Sequence, residues 1–173
     1  PTPGSSEQVT QMGHSAKYDY ENGLPVLYLL HGAYGDAFSW VRYSNIDRYA
    51  QDRGIVVVMA SAENSFYQDL RSGKKYKTFF TEELPVFIRN VFPVSREREK
   101  TFIAGFSMGG YGAWYLALSR PELYAKAASM SGALDIAGLY QAAAAGNNDN
   151  NPFHWEDCFG DPDKLAGSDY DLF

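Results

Sequence analysis

Four apolar runs separated by polar segments predict four strands of a sheet. They are Leu24 to Leu30, Ile55 to Met59, Phe102 to Gly105 and Tyr124 to Met130. The first two runs are continuous rather than alternating, which is typical of strands buried on both faces of a parallel sheet. The polar stretch from Pro1 to Gly23 has no apolar periodicity, so we expect an N-terminal arm over 1–23 and a folded domain over 24–173.

Helical patterns lie between these runs. Apolar side chains at helical spacing predict an amphipathic helix from Thr78 to Val91. If the helix begins near Thr81, Pro85 lies in its early turns, where proline is tolerated. The other expected elements are irregular structure followed by a short helix within Trp40 to Asp52, which Gly54 ends, a helix over Gly110 to Ser119, and an Ala-rich helix over Asp135 to Ala145. We expect a surface loop over Gly146 to Pro152 and irregular structure over Asp157 to Phe173.

This alternation of strands and helices predicts an α/β fold with a doubly wound, mostly parallel sheet and right-handed crossovers. The length of 173 residues suits one domain with a substantial core. The net charge of −6 argues against nucleic acid or an anionic membrane as a partner. No apolar run reaches transmembrane length, and a single cysteine, Cys158, excludes an intrachain disulfide.

The most informative motif is Gly105 to Gly109 (GFSMG), which lies between the third strand and the following helix. A serine at the apex of a sharp strand-to-helix turn, with glycines two residues to either side, is typical of a nucleophile elbow. This geometry lifts the Ser107 hydroxyl above the sheet and aims the N–H of Met108 at a developing oxyanion. A second motif, Leu29 to Ala33 (LLHGA), follows the first strand, where the other half of an oxyanion hole is expected.

A serine nucleophile needs a histidine base oriented by a carboxylate, and the chain has three histidines. His14 lies in the polar arm. His31 lies in the LLHGA loop, where we expect it to fix the loop. His154 follows Ser107 in the chain order that this fold requires, but no strand precedes it, and it stays an alternative base.

Three further motifs are expected to be structural. The S-x-x-K match at Ser72 to Lys75 has no following helix pattern, which favours a solvated basic loop. The stretch Asn147 to Asn151 lacks the ligand spacing of a calcium loop. We expect Cys158 to be a buried, inert thiol.

Long segments of the chain resemble the esterase D group of α/β-hydrolases, which includes S-formylglutathione hydrolases, and most resemble its tributyrin-esterase-like branch. The resemblance rests on LPVLYLLHGAYGDAFSW, IVVVMASAENSFY, TFFTEELPVFI and TFIAGFSMGGYGAWYLALSRPELYAKAASMSGAL. It is dense from about Leu24 to Leu134 and looser after that.

The resemblance implies a serine carboxylesterase that acts on small ester substrates without a cofactor or metal. Ser107 matches the nucleophile of the family, and Ala33 and Met108 match the two residues whose amides form the oxyanion hole. The acid and histidine of the family have no match up to Phe173. We therefore expect the sequence to be the N-terminal part of an α/β-hydrolase domain that is incomplete at its C-terminus.

Two alternatives stay open: an acyltransferase of the same fold, and a non-catalytic relative that binds esters or carbohydrates. The absence of a visible secretory signal leads us to expect a cytoplasmic protein, although the sequence begins at Pro1 rather than Met. Whether the chain forms homo-oligomers is left open.

Overall fold

Four parallel strands form the sheet of the computed structural model, which describes residues 20–145 and 153–172. They are β1 (Val26–Leu30), β2 (Val56–Val58), β3 (Thr101–Phe106) and β4 (Lys126–Met130), in the order β2-β1-β3-β4. The predicted α/β class and parallel sheet are confirmed. The polar arm up to residue 19 and the loop over 146–152 lie outside the described residues, and so do the predictions made for them.

Seven short α-helices surround the described part of the sheet. They are α1 (Ser39–Tyr43), α2 (Ile46–Arg53), α3 (Tyr76–Thr78), α4 (Leu84–Val91), α5 (Met108–Ser119), α6 (Ile136–Ala145) and α7 (Trp155–Phe159). A π-helical turn (Phe79–Glu83) joins α3 to α4, and two 3₁₀ turns occur at Arg98–Lys100 and Pro162–Lys164. None of these helices is long and apolar enough to cross a membrane.

Two segments expected to be irregular are helical, and that expectation was wrong. In the first, Asp36 accepts a hydrogen bond from the N–H of Phe38 and pairs with Arg42, which supports the short helix α1. In the second, α7 forms because Trp155 and Phe159 bury their rings against Phe66, at centroid distances of 5.0 and 5.3 Å. Tertiary packing thus outweighs the weak local pattern.

The helical segment before β3 begins at Tyr76 and ends at Val91, close to the predicted range. Pro85 lies in the first turn of the α-helix α4, as expected, although the helical segment as a whole begins earlier. Proline has no N–H and its ring crowds the preceding turn, so a regular α-helix would be interrupted there. The π-helical turn Phe79–Glu83, directly before the short helix that contains Pro85, widens the backbone at this point.

The register of the central strands brings the two sequence motifs together. β1 pairs with β3 from Val26 opposite Thr101 to Leu30 opposite Gly105. Since the strands are parallel and end at the same level, the loop after Leu30 emerges beside the turn after β3. Leu30 and Ile103, near the carboxyl ends of these strands, are fully buried in the hydrophobic core.

Candidate active site

Ser107 forms the whole connection between β3 and α5. Its backbone has φ 54° and ψ −118°, a strained conformation for a residue other than glycine. The N–H of Ser107 donates to the carbonyl of Met130 at 2.9 Å, and its carbonyl accepts from Ala133 at 3.3 Å. These bonds hold the sharp strand-to-helix turn that the sequence predicts, and the side chain of Ser107 stays partly exposed.

The two glycines beside this turn have no room for a side chain. A Cβ at Gly105 would collide with the backbone of Gly109. A Cβ at Gly109 would lie 2.5 Å from the carbonyl oxygen of His31 and 2.6 Å from that of Leu30. Any larger residue at either position therefore forces the backbone to move, and the absence of side chains lets the start of α5 pack directly on the end of β1.

The loop after β1 lies next to Ser107. A Cβ built on Gly32 would be 3.4 Å from the Cβ of Ser107. The N–H of Met108, the first residue of α5, has no acceptor within its own helix. Within residues 20–145 and 153–172, the N–H of Ala33 likewise donates to no other group. Met108 directly follows Ser107, and Ala33 follows Gly32, whose backbone lies against the partly exposed side chain of Ser107.

His31 is buried and uses both ring nitrogens inside the protein. The N–H of Ala62 donates to Nε2 at 2.9 Å, and Nδ1 donates to the carbonyl of Gly32 at 2.7 Å. This pattern fits the neutral imidazole. Burial lowers the pKa of His31, while the Gly32 carbonyl and the charge of Asp36 oppose the shift. His31 is therefore a fixing residue of the loop, as expected, and has no free nitrogen for a proton from Ser107.

His154 is exposed and precedes α7. It lines an open cavity of about 560 Å³ together with Arg71, Tyr140, Phe153 and Trp155, among others. The residues around that cavity include none of Ser107, Ala33 and Met108. In the described part of the chain, no histidine is hydrogen-bonded to the Ser107 hydroxyl.

The neighbouring carboxylate, Asp157, is engaged elsewhere. Its side chain accepts from the N–H and the hydroxyl of Ser72, at 2.7 and 2.6 Å, and these bonds lower the pKa of Asp157. Lys74, from the same basic loop, donates to Glu63 at 2.6 Å on the surface. The S-x-x-K match is thus an exposed loop held by one ion pair and by hydrogen bonds to Asp157, as the sequence indicates.

The described residues give no support for a cysteine nucleophile or for a metal site. Cys158 is buried, and burial raises the pKa of its thiol to about 12, so the thiolate is not formed near neutral pH. Among the described residues, no group of three or more His, Cys, Asp or Glu side chains is placed to hold a metal ion. The Asn-rich stretch and His14 lie outside the described ranges.

Sequence reasoning missed the contacts that the loop after β2 makes with the loop after β1. Besides Ala62, the side chain of Asn64 accepts from the N–H of Tyr34 at 2.8 Å, and Ser61 accepts from the N–H of Ala37 at 2.9 Å. These are long-range bonds to backbone groups, and no residue spacing marks them. The only sequence signal is the position of the loop at the carboxyl end of a strand.

Comparisons of sequence and of structure with known proteins point to the same family, the esterases. The family model "Esterase", described as "Putative esterase", matches residues 11–170. An acetyl esterase from Caldicellulosiruptor saccharolyticus is 38% identical over 161 residues, covering 89% of this chain and 58% of the relative. The solved S-formylglutathione hydrolase of Staphylococcus aureus is 31% identical with a TM-score of 0.72, covering 87% of this chain and 57% of that one.

A more distant relative is named as an acyltransferase. The diacylglycerol acyltransferase/mycolyltransferase Ag85A of Mycobacterium leprae is 35% identical over 141 residues, covering 72% of this chain and 42% of the relative. The chain thus spans about half the length of the relatives that it matches.

The buried neutral state of His31 predicts how stability depends on pH. The folded protein lowers the pKa of His31 below its ordinary value of 6.5, so below about pH 6.5 the unfolded chain binds more protons at this group. The contribution of His31 is therefore complete above that pH and is lost as the pH falls. At pH 8, His31→Gln should lower the free energy of unfolding by about 1–3 kcal/mol, because buried hydrogen bonds are lost.

Urea unfolding at pH 8, 6 and 5 measures this effect. The difference in the free energy of unfolding between the wild type and His31→Gln should shrink as the pH falls. His154→Gln, which changes an exposed histidine, is the control and should follow the wild-type curve. A constant difference for His31→Gln at all three pH values would contradict the assignment.

Proposed function

This chain belongs to the esterase family of α/β-hydrolases, and we propose that it is a serine carboxylesterase that hydrolyses esters of short acyl or aryl acids through an acyl-enzyme. The observation that carries the proposal is the position of Ser107. It stands on a strained turn at the start of α5, beside the loop that contains Gly32 and Ala33. A small-molecule ester is the substrate class, and no cofactor or metal is invoked.

In the proposed reaction, Oγ of Ser107 attacks the ester carbonyl and its proton passes to a histidine base. The carbonyl oxygen becomes an oxyanion, which accepts hydrogen bonds from the N–H groups of Met108 and Ala33. In comparable sites each such donor contributes about 3 kcal/mol of transition-state stabilisation. The start of α5 adds the positive end of the helix dipole at the same place.

The base then returns the proton to the leaving alcohol, and water releases the acyl group from Ser107 by a second tetrahedral intermediate. His31 cannot act as this base, because both of its nitrogens are hydrogen-bonded in the loop. We propose that the histidine and its carboxylate are supplied by residues outside the described ranges. This agrees with the fact that the acetyl esterase matches the chain over only 58% of its own length.

Acyl transfer is the second candidate, and the mycolyltransferase relative supports it. Transfer and hydrolysis share the same acyl-enzyme and differ only in whether an alcohol or water attacks it. Product analysis with an added alcohol acceptor separates the two. We favour hydrolysis because the acetyl esterase is the more similar relative and matches more of the chain.

The full-length protein should turn over p-nitrophenyl acetate or butyrate, and Ser107→Ala should lower kcat by roughly 10³-fold or more, because the attacking oxygen is removed. Ser119→Ala changes an exposed serine at the other end of the same helix and is the matched control. It should keep wild-type kcat. Near-wild-type turnover by Ser107→Ala would refute the assignment of the nucleophile.

His154→Ala in the full-length protein should lower kcat by less than tenfold. Loss of a true base typically costs several orders of magnitude, because the serine hydroxyl then keeps its proton. Steady-state kinetics on the same activated ester, beside the Ser107→Ala variant, measures the effect. If the two variants lose comparable activity, His154 is the base, and the proposal that the base lies outside the described ranges is wrong.

A further inference from the structure

The loop after β2 contains an unusual concentration of backbone strain. Glu63, Phe66 and Tyr67 have φ values of 50°, 51° and 60°, and none of them is glycine. Such conformations cost free energy and persist only where the surrounding contacts impose them. At Tyr67 the contacts are extensive, since the side chain is completely buried.

The hydroxyl of Tyr67 donates to the carbonyl oxygen of His31 at 2.9 Å. The ring packs edge-on against Phe80 at a centroid distance of 5.0 Å, and on its other side it touches Gly112 of α5 so closely that a Cβ there would collide with it. Tyr67 therefore connects the helix that begins after Ser107 to the loop that contains Ala33.

Three successive peptide groups of that loop are held by hydrogen bonds. The carbonyl between His31 and Gly32 accepts from Tyr67. The carbonyl between Gly32 and Ala33 accepts from Nδ1 of His31 at 2.7 Å and from the N–H of Gly35 at 3.1 Å. The N–H between Ala33 and Tyr34 donates to the side chain of Asn64.

The orientation of the Ala33 N–H follows from these bonds. A trans peptide group is planar, and its N–H points opposite to its carbonyl. Because the Gly32 carbonyl is held by His31 and Gly35, the N–H of the same peptide points away from these two donors. Holding the peptides before and after it prevents this one from rotating by half a turn, which would present a carbonyl in place of the donor.

We propose that Tyr67 and Asn64 are positioning residues for the reaction: they fix the peptide that carries the Ala33 N–H in the orientation that an oxyanion requires. This inference rests on the proposed function, since it presumes that the Ala33 amide is an oxyanion donor. Neither side chain touches the reacting atoms. Both act through the backbone of residues 31–34, from opposite ends of the loop.

The test compares Tyr67→Phe with the wild type in the full-length protein. The substitution keeps the ring contacts with Phe80 and α5 and removes only the hydroxyl. With p-nitrophenyl acetate, kcat should fall about tenfold while KM stays within twofold, because the lost stabilisation is confined to the transition state. The Ki of phenylboronic acid, which forms a tetrahedral anion on a nucleophilic serine, should rise by about the same factor.

Tyr124→Phe is the matched control. Tyr124 is also a buried tyrosine, and its hydroxyl contacts a backbone carbonyl, that of Phe80, at 3.4 Å. Removal of this hydroxyl should change neither kcat nor the Ki of phenylboronic acid. A similar loss in both variants would show that any missing core hydroxyl disturbs the enzyme, and it would overturn the positioning role.

Asn64→Ala provides a second, independent variant, because Asn64 is only partly buried and its loss does not open the core. It should also lower kcat and raise the Ki of phenylboronic acid, while KM changes little. If Tyr67→Phe fails to fold, the Asn64→Ala result alone decides. Normal kcat and Ki in Asn64→Ala, or in folded Tyr67→Phe, overturn the inference.

Failure of the inference can be distinguished from failure of the proposed function. A wild-type protein that neither turns over activated esters nor is inhibited by phenylboronic acid would refute the esterase proposal, and the positioning role with it. An active, inhibited wild type with unaffected variants would refute the positioning role alone.

Discussion

The close packing of Gly109 on the carbonyl groups of Leu30 and His31 is the constraint on which the rest of the site depends. It brings the backbone at the start of α5 against the backbone at the end of β1. The parallel register, with Leu30 opposite Gly105, brings the segments that follow the two strands to the same edge of the sheet. The strained turn at Ser107 and the loop that carries Ala33 are neighbours because of this contact.

This arrangement stores strain, and local hydrogen bonds offset it. A strained residue costs about 1–3 kcal/mol, which is comparable to the contribution of one or two hydrogen bonds. At Ser107 the bonds to Met130 and Ala133 provide that compensation. In the loop after β1, the neutral His31 side chain holds the backbone through two hydrogen bonds, to Gly32 and from Ala62. A residue that serves the loop in this way is not available for proton transfer.

Much of the framework could be predicted from the sequence, because it is encoded locally. The apolar runs mark the strands, and the glycines around Ser107 mark the turn, since no other residue fits there. The short helix α7 could not be predicted, because its stability comes from rings contacted across the fold, such as Phe66. The position of Tyr67 could not be predicted from the sequence either. Its positive φ and its bond to His31 have no counterpart in spacing or composition.

The central claim is that the fold activates one serine, Ser107, and no other. The most direct measurement is reaction of the full-length protein with a serine-directed phosphonate, followed by peptide mass spectrometry to locate the adduct. A single adduct on the peptide that contains Ser107 is the predicted result, because Ser107 stands on the strained strand-to-helix turn beside the loop that contains Ala33. An adduct on a different serine, or an unmodified protein, would contradict the account.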